Sequence, residues 1–193
     1  MGKTRRTMSA ETRRKWISLF IVLAILLTVA VLINMAVIYF LSSESKEDSG
    51  TRSTGVVEFF MHLLHPDYDD LDWDTQMEIM ASTHHLVRKL AHFAEFGLLG
   101  FLTTGLVVYV NGRKHWIKRW LEWVIPTVFC LLYAISDEVH QILSDRGSSA
   151  KDVAIDFAGA VVGILVMHAI VGIVRTVKKR RERKRSCRTH DTL

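Results

Sequence analysis

The chain has 193 residues, of which 49% are hydrophobic and 23% are charged, with a formal net charge of +5. This length predicts one domain with tails. The mixture argues against a single soluble core and is typical of a membrane protein, where apolar residues form spans and charges gather between them. Cys130 lies in an apolar run and Cys187 in a basic tail, so we expect no disulfide between them.

The first apolar run covers residues 17–41 and follows an arm rich in Lys and Arg. About 20 residues of α-helix cross the hydrocarbon core of a bilayer. The apolar region of a cleaved signal peptide is only about 7–15 residues long. The run therefore predicts an uncleaved membrane anchor.

The segment 42–89 follows the anchor and contains three distinct stretches. Residues 53–65, "STGVVEFFMHLLH", predict an amphipathic helix of the kind that lies in a membrane interface. Residues 66–74, "PDYDDLDWD", are acidic and favour a turn. Residues 74–93 predict a helix that continues into the next apolar run.

Three further apolar runs predict spans at about residues 90–110, 120–143 and 153–174. Polar side chains interrupt each of them near one end. The last run contains Gly159 and Gly163, a GxxxG pattern that lets transmembrane helices approach closely. Such matches are common by chance in apolar helices, so the pattern carries little weight in the sequence alone.

Basic residues set the expected orientation. Six Lys/Arg precede the first run, four lie in the connection 111–119 and nine lie in 175–188, whereas the segment 42–89 has four against ten acidic residues. The positive-inside rule places both termini and the 111–119 connection in the cytoplasm. Residues 42–85 and 144–152 then face outward.

The predicted fold is all-α, a polytopic membrane protein with four transmembrane helices and an extracytoplasmic segment between helices one and two. We divide the chain into a basic cytoplasmic arm (1–16), a transmembrane domain (17–174) and a basic cytoplasmic tail (175–193). The expected location is the cell membrane, with several passes and both termini in the cytoplasm.

With this orientation, the polar side chains of spans two, three and four lie at the same outer level. Within each helix they are spaced three or four residues apart, which places them on one face. Polar stripes in lipid are costly unless they face each other or water, so they predict a pocket open to the outside. The candidate site residues are Lys89, His92, Glu95, Asp137, Glu138, Gln141, Asp152 and Asp156, with Arg146 in the loop between spans three and four.

Two structural explanations compete with a binding pocket. Charged side chains near span ends often extend into the headgroup region, which would account for Lys89, Asp145 and Lys151. A buried polar network that only fixes helix packing is the second. Glu95, Asp137 and Asp156 lie deeper, and we expect each to have a basic or amide partner on a neighbouring helix, because an unpaired buried carboxylate is costly.

Two stretches, "RKLAHFAEFGLLGF" and "SDEVHQILSDRGSSAKDVAIDFAGAVVGIL", resemble the two signature blocks of VanZ-like membrane proteins. The stretch "YFLSSES" is similar to the family's aromatic Ser-Ser ending, with Glu44 where Gln is common. The resemblance covers about residues 20–172. It places the family positions on Lys89, His92, Glu95, Asp137, Glu138, Gln141, Arg146, Asp152, Asp156 and Gly159.

The resemblance implies a membrane protein of the bacterial envelope. The family takes its name from a protein linked to teicoplanin resistance in Gram-positive bacteria, which makes a contribution to glycopeptide or lipoglycopeptide resistance the implied role. The implied partners are membrane lipids and a peptidoglycan precursor or lipoglycopeptide. A homo-oligomer stays open. Nucleic acid is not expected, since no aromatic residues are interleaved in the basic tail.

Three function classes follow from the residues. The favoured one is a non-catalytic protein whose pocket holds a polar headgroup or precursor, with Lys89 and Arg146 as anion contacts. The second is a membrane-embedded enzyme acting on lipid or precursor headgroups, with His92, Glu95, Asp137 and Glu138 as acid–base candidates. No HExxH-type spacing is present, and we expect no metal or cofactor. The third, a carrier, fits poorly, because charges at one level make no path across a membrane.

Overall fold

A computed structural model describes residues 9–43, 54–114, 116–143 and 150–190. Within these ranges the chain is helical and contains no strand, which confirms the predicted all-α class. The helices are α1 (Ala10–Ser43), α2 (Thr54–Leu64), α3 (Trp73–Lys114), α4 (Leu121–Leu143) and α5 (Ala150–His190). A short 3₁₀ turn, Tyr68–Asp70, lies between α2 and α3.

Helices α1 and α4 run in the same direction. The Tyr133 hydroxyl donates a hydrogen bond to the Met35 carbonyl oxygen over 2.7 Å. Farther along both helices, Ser42 Oγ donates to Asp137 Oδ2 over 3.0 Å. Because the second contact lies nearer the C-terminal end of both helices than the first, α1 and α4 are parallel, and their C-terminal ends lie side by side.

Helix α3 runs the opposite way. Near its C-terminal end, the ring of Tyr109 stacks on Phe20, close to the start of α1, with ring centroids 5.0 Å apart. At the same end, Asn111 of α3 lies beside Glu122 at the start of α4. The long helices therefore alternate in direction from α1 to α3 to α4.

Helices α3 and α5 are parallel and are the most extensively packed pair in the described chain. A side chain at Gly159 would collide with the backbone carbonyl of Phe93, and one at Gly163 with that of Gly97. The GxxxG pair thus lies in the closest helix contact, where only the absence of a Cβ atom lets the two backbones touch.

The core is shared by all four long helices. Its buried members are Val31 and Ile38 of α1, Phe96 and Leu99 of α3, Cys130 and Ala134 of α4, and Ala160 of α5. Because each helix contributes only a narrow inward stripe, the remaining apolar residues cover the outside of the bundle. Such extensive apolar exposure is typical of a surface that faces lipid.

Helix α2 packs against the first half of α3. Val57, Met61 and Tyr68 form a small second core there. Asp72 caps the start of α3, accepting hydrogen bonds from the Thr75 hydroxyl at 2.8 Å and the Thr75 backbone N–H at 3.2 Å. The hydroxyl contact, with the backbone one, lowers the pKa of Asp72. As predicted, one helix forms within 53–65 and another runs without a break into the second apolar run.

Among the described residues, three helices are long and apolar enough to cross a membrane: Glu11–Ser43, Trp73–Gly112 and Lys151–Arg183. Helix α4 is not among these three; it contains Glu122, Asp137 and Glu138 within its 23 residues. Those three side chains are buried against the other helices. Four spans therefore remain a prediction, while three apolar helices suggest membrane association.

The close contact between α3 and α5 predicts opposite effects for two glycine substitutions. Gly163→Ala should lower the midpoint of thermal unfolding in detergent, because forcing a methyl group into a closed contact costs about 1–3 kcal/mol. Gly172 has nothing within 4 Å of an added Cβ atom. Gly172→Ala should leave the midpoint unchanged or raise it, because Ala favours helix by ~1 kcal/mol over Gly. An equal rise for both variants would contradict this packing.

Candidate functional site: a polar cluster at one end of the bundle

Polar side chains from all four long helices meet at one end of the bundle. The end of α1, the end of α4 and the start of α5 lie there, beside the middle of α3. We call the set the polar cluster. It consists of Ser42 from α1; Lys89, His92 and Glu95 from α3; Asp137, Glu138 and Gln141 from α4; and Asp152 and Asp156 from α5.

Asp137 is the best-connected carboxylate of the cluster. Its Oδ2 atom accepts hydrogen bonds from Ser42 Oγ at 3.0 Å and from Gln141 Nε2 at 2.8 Å. The residue is only 5% exposed. Hydrogen bonds to a charged acceptor are stronger than neutral ones, so Asp137 ties the end of α1 to the end of α4.

Lys89 and Asp152 form an ion pair between α3 and α5. The distance from Lys89 Nζ to Asp152 Oδ1 is 3.0 Å, and about a third of each side chain is exposed. Pairs with this exposure contribute roughly 0–1 kcal/mol to stability. The pair lies N-terminal to the glycine contact on both helices and contributes little to holding them together.

His92 and Glu95 face each other on α3. The distance from His92 Nδ1 to Glu95 Oε2 is 3.6 Å, which is too long for a hydrogen bond. Glu95 Oε2 is buried and accepts no hydrogen bond from the described residues. A buried carboxylate oxygen without a donor costs free energy, so Glu95 is unfavourable for stability where it lies.

The buried carboxylates are crowded. Asp156 is 4% exposed, and it interacts electrostatically with Asp137, Glu138, Asp152 and Glu95. Like charges at short range repel, and burial strengthens the repulsion. The arrangement favours a proton, a cation or a hydrogen-bond donor among these groups.

A small cavity of about 20 Å³ opens into the cluster. It has room for about one water molecule. Its lining residues are Arg88, Lys89, His92, Gln141, Asp152, Ile155 and Asp156. The cavity therefore presents cationic groups from α3 and carboxylates from α5 to the same space. Across the described ranges, no three His, Cys, Asp or Glu side chains are arranged to hold a metal ion.

The structure places the sequence-predicted site residues together, except Arg146, which lies outside the described residues. We expected Glu95 and Asp137 to have basic or amide partners on neighbouring helices, but the partners found lie on the same helix. The basic group nearest Glu95 is His92 of the same helix, and the amide on Asp137 comes from Gln141 of the same helix. Across helices, Asp137 has the Ser42 hydroxyl instead.

Sequence reasoning did not assign one member of the polar cluster, Ser42, or two of its neighbours, Ser43 and Arg88. Ser42 and Ser43 belong to the "YFLSSES" stretch, which was the available signal. Ser43 Oγ lies 3.1 Å from His140 Nε2, and the His140 ring stacks on Tyr39 with centroids 4.6 Å apart. The third, Arg88, lies next to Lys89 in the sequence but had no spacing that pointed to the site.

A second buried network lies at the opposite end of the bundle. Glu122, 3% exposed, accepts a hydrogen bond from Asn111 Nδ2 at 2.7 Å and pairs with Arg175 at 3.4 Å. His168 lies 3.3 Å from the Glu122 carbonyl oxygen and stacks on Trp123. This Glu122 network joins α3, α4 and α5 about 24 Å from Glu95 along α3.

Apolar outer faces and inward-facing polar groups on an all-helical chain are typical of helical membrane proteins. The family model described as VanZ/LLP1 matches residues 17–172. The chain belongs to the VanZ/LLP1 family. Comparisons with curated proteins and with solved structures give no match.

The hydrogen bonds at Asp137 predict a graded loss of stability. Asp137→Ala removes the acceptor shared by Ser42 and Gln141 and should lower the free energy of unfolding by about 1–3 kcal/mol, the cost of a buried donor that loses its acceptor. Asp137→Asn keeps an acceptor oxygen and should lose less. Ser42→Ala removes one hydrogen bond, worth about 1 kcal/mol. Denaturant unfolding in detergent measures all three, and a neutral Asp137→Ala would contradict the assignment.

Proposed function

We propose that this chain is a multi-pass protein of the bacterial cell membrane, with four transmembrane helices, cytoplasmic termini and the polar cluster on the outer side. The alternating helix directions support this topology, since they bring both predicted outer segments to the same end. The outward apolar residues of α4, which include Leu132 and Ile142, also support a fourth span.

Cysteine labelling tests this topology. In a Cys130→Ala, Cys187→Ser background, Asp70→Cys and Lys151→Cys should react with a membrane-impermeant thiol reagent in intact cells. Lys118→Cys should not react until the cells are permeabilised. The basis is the positive-inside rule, which places the 111–119 connection in the cytoplasm. Labelling of Lys118→Cys in intact cells would overturn the orientation.

For the function itself, the proposal is that the polar cluster binds a polar group of an envelope component, either a lipid headgroup or a peptidoglycan precursor. The observation that carries it is the cavity, where Arg88 and Lys89 face Asp152 and Asp156. Because the cavity itself has room for about one water-sized group, a ligand would place one hydrogen-bond donor in it and keep its anionic group at the entrance, beside Arg88 and Lys89. Binding would alter access to the component, and a contribution to glycopeptide or lipoglycopeptide resistance follows from the family resemblance.

One observation favours the enzymatic alternative. His92 and Glu95 lie 3.6 Å apart, and His92 lines the cavity. A histidine beside a carboxylate can transfer protons to and from a bound headgroup. In that case the purified protein would convert a lipid or precursor headgroup, whereas the binding function leaves it unchanged.

The cluster's role predicts a loss of cellular effect in folded protein. Glu95→Gln, His92→Ala and Asp156→Asn should each abolish survival under a lipoglycopeptide, while the protein accumulates and melts nearly as the wild type. The reason is that His92 and Asp156 line the cavity, that Glu95 lies 3.6 Å from His92, and that none of the three need hold the bundle together. Survival per amount of folded protein is the quantity to compare.

Glu122→Gln provides the matched control. It changes a buried carboxylate at the opposite end, where the partners are Asn111 and Arg175. It should lower stability with survival falling only in step with the folded amount. If Glu95→Gln and Glu122→Gln give the same relation between stability and survival, the polar cluster serves packing alone.

A further inference from the structure

Helix α5 changes from apolar to basic without a break. It runs from Ala150 to His190 as one helix. Its apolar part ends at Val174, and basic residues follow at once. The exposed ones are Arg175, Lys178, Lys179, Arg180, Arg181 and Arg183. No proline or glycine interrupts residues 173–190, so the basic segment is held in line with the apolar part of the helix.

The length of α5 places this change at a membrane boundary. From Asp156 in the polar cluster to Val174 the helix rises about 27 Å. The hydrocarbon core is about 30 Å thick. If the polar cluster marks one boundary, the other falls near Val174 and Val177. The next turn, with Lys178 and Arg181, then lies at the level of the lipid headgroups.

One face of α5 at this level combines apolar and basic side chains. Ile173, Val177 and Arg181 follow each other at four-residue steps, and Lys178 is four residues after Val174, so these side chains lie on one face. Ile173 and Val174 are 64% and 60% exposed. An open hollow of about 440 Å³ lies among these five residues and Glu182.

The direction of side chains on an α-helix determines where the charged ends of Lys178 and Arg181 lie. Cα–Cβ bonds in an α-helix tilt toward its N-terminus. Long side chains therefore cover the preceding turn. By this rule Lys178 and Arg181 extend toward the turn that contains Val174 and Val177, and the four residues line the same hollow. Their charges are thus held directly beside an apolar surface, as the phosphate of a phospholipid is held beside its acyl chains.

We propose that this face of α5 binds a phospholipid with an anionic, hydroxyl-bearing headgroup. The acyl chain lies on Ile173, Val174 and Val177, and the phosphate contacts Lys178 and Arg181. The Glu182 carboxylate accepts hydrogen bonds from headgroup hydroxyls. Charge complementarity selects this occupant over a zwitterionic lipid. The site is separate from the polar cluster and needs no ligand there, but it rests on the proposed placement of α5 across the membrane.

Native mass spectrometry of the detergent-solubilised full-length protein tests the site. Phosphatidylglycerol and phosphatidylcholine are titrated in parallel, and phosphatidylglycerol should bind more tightly. The double variant Lys178→Gln/Arg181→Gln should weaken phosphatidylglycerol binding roughly tenfold or more, since each basic residue near the surface is worth ~1 kcal/mol. Binding of phosphatidylcholine should change little.

The double variant Lys179→Gln/Arg183→Gln is the matched control, because it removes the same charge from the opposite face of α5. It should retain most of the affinity for phosphatidylglycerol. Equal losses in the two double variants, or no loss in Lys178→Gln/Arg181→Gln, would overturn the site and leave only a diffuse attraction. Competition by the free headgroup, glycerophosphoglycerol, at the same concentrations would show an anion site without an acyl-chain contact and would also overturn it.

Discussion

The backbone contact between α3 and α5 is the constraint on which the rest of the structure depends. Gly163 and Gly159 lie against the carbonyls of Gly97 and Phe93, so the two helices must be parallel and in one register. That register brings Lys89 level with Asp152 and Glu95 level with Asp156. Because α4 connects two parallel helices, it must run in the opposite direction to both, and this carries Asp137 and Glu138 to the same end.

The close packing of the helices brings buried carboxyl groups together, which is unfavourable for stability. Small residues let the helices approach without a hydrophobic driving force in lipid. The same approach crowds carboxyl groups from α3, α4 and α5 into one buried space. Ser42 and Gln141 stabilise Asp137 there. Ile38 and Phe96 belong to the apolar core of the same bundle, and the carboxyl groups of Asp137, Glu138 and Asp156 are themselves buried.

The sequence predicted the helices well because long apolar runs and charge blocks leave few alternatives. It also indicated Lys89, His92 and Glu95 through their spacing. It did not predict which partners meet: the Ser42 contact joins residues 95 positions apart, and no local pattern encodes it. Helix α4 is not among the three candidate spans for a related reason: Asp137 and Glu138 lower its hydropathy, although both are buried and its exposed face is apolar.

The two buried polar sets of the molecule differ in how well their carboxylates are satisfied. Glu122 has Asn111 on one oxygen and Arg175 on the other, the arrangement expected of a network that serves packing. Glu95 has a buried oxygen without a donor from the described residues, beside the carboxyl groups of Asp137 and Asp156. Packing alone gives no reason to keep such an atom, because an apolar side chain of similar size would cost less. That unsatisfied oxygen distinguishes the polar cluster from the Glu122 network, where each carboxylate oxygen of Glu122 has a donor.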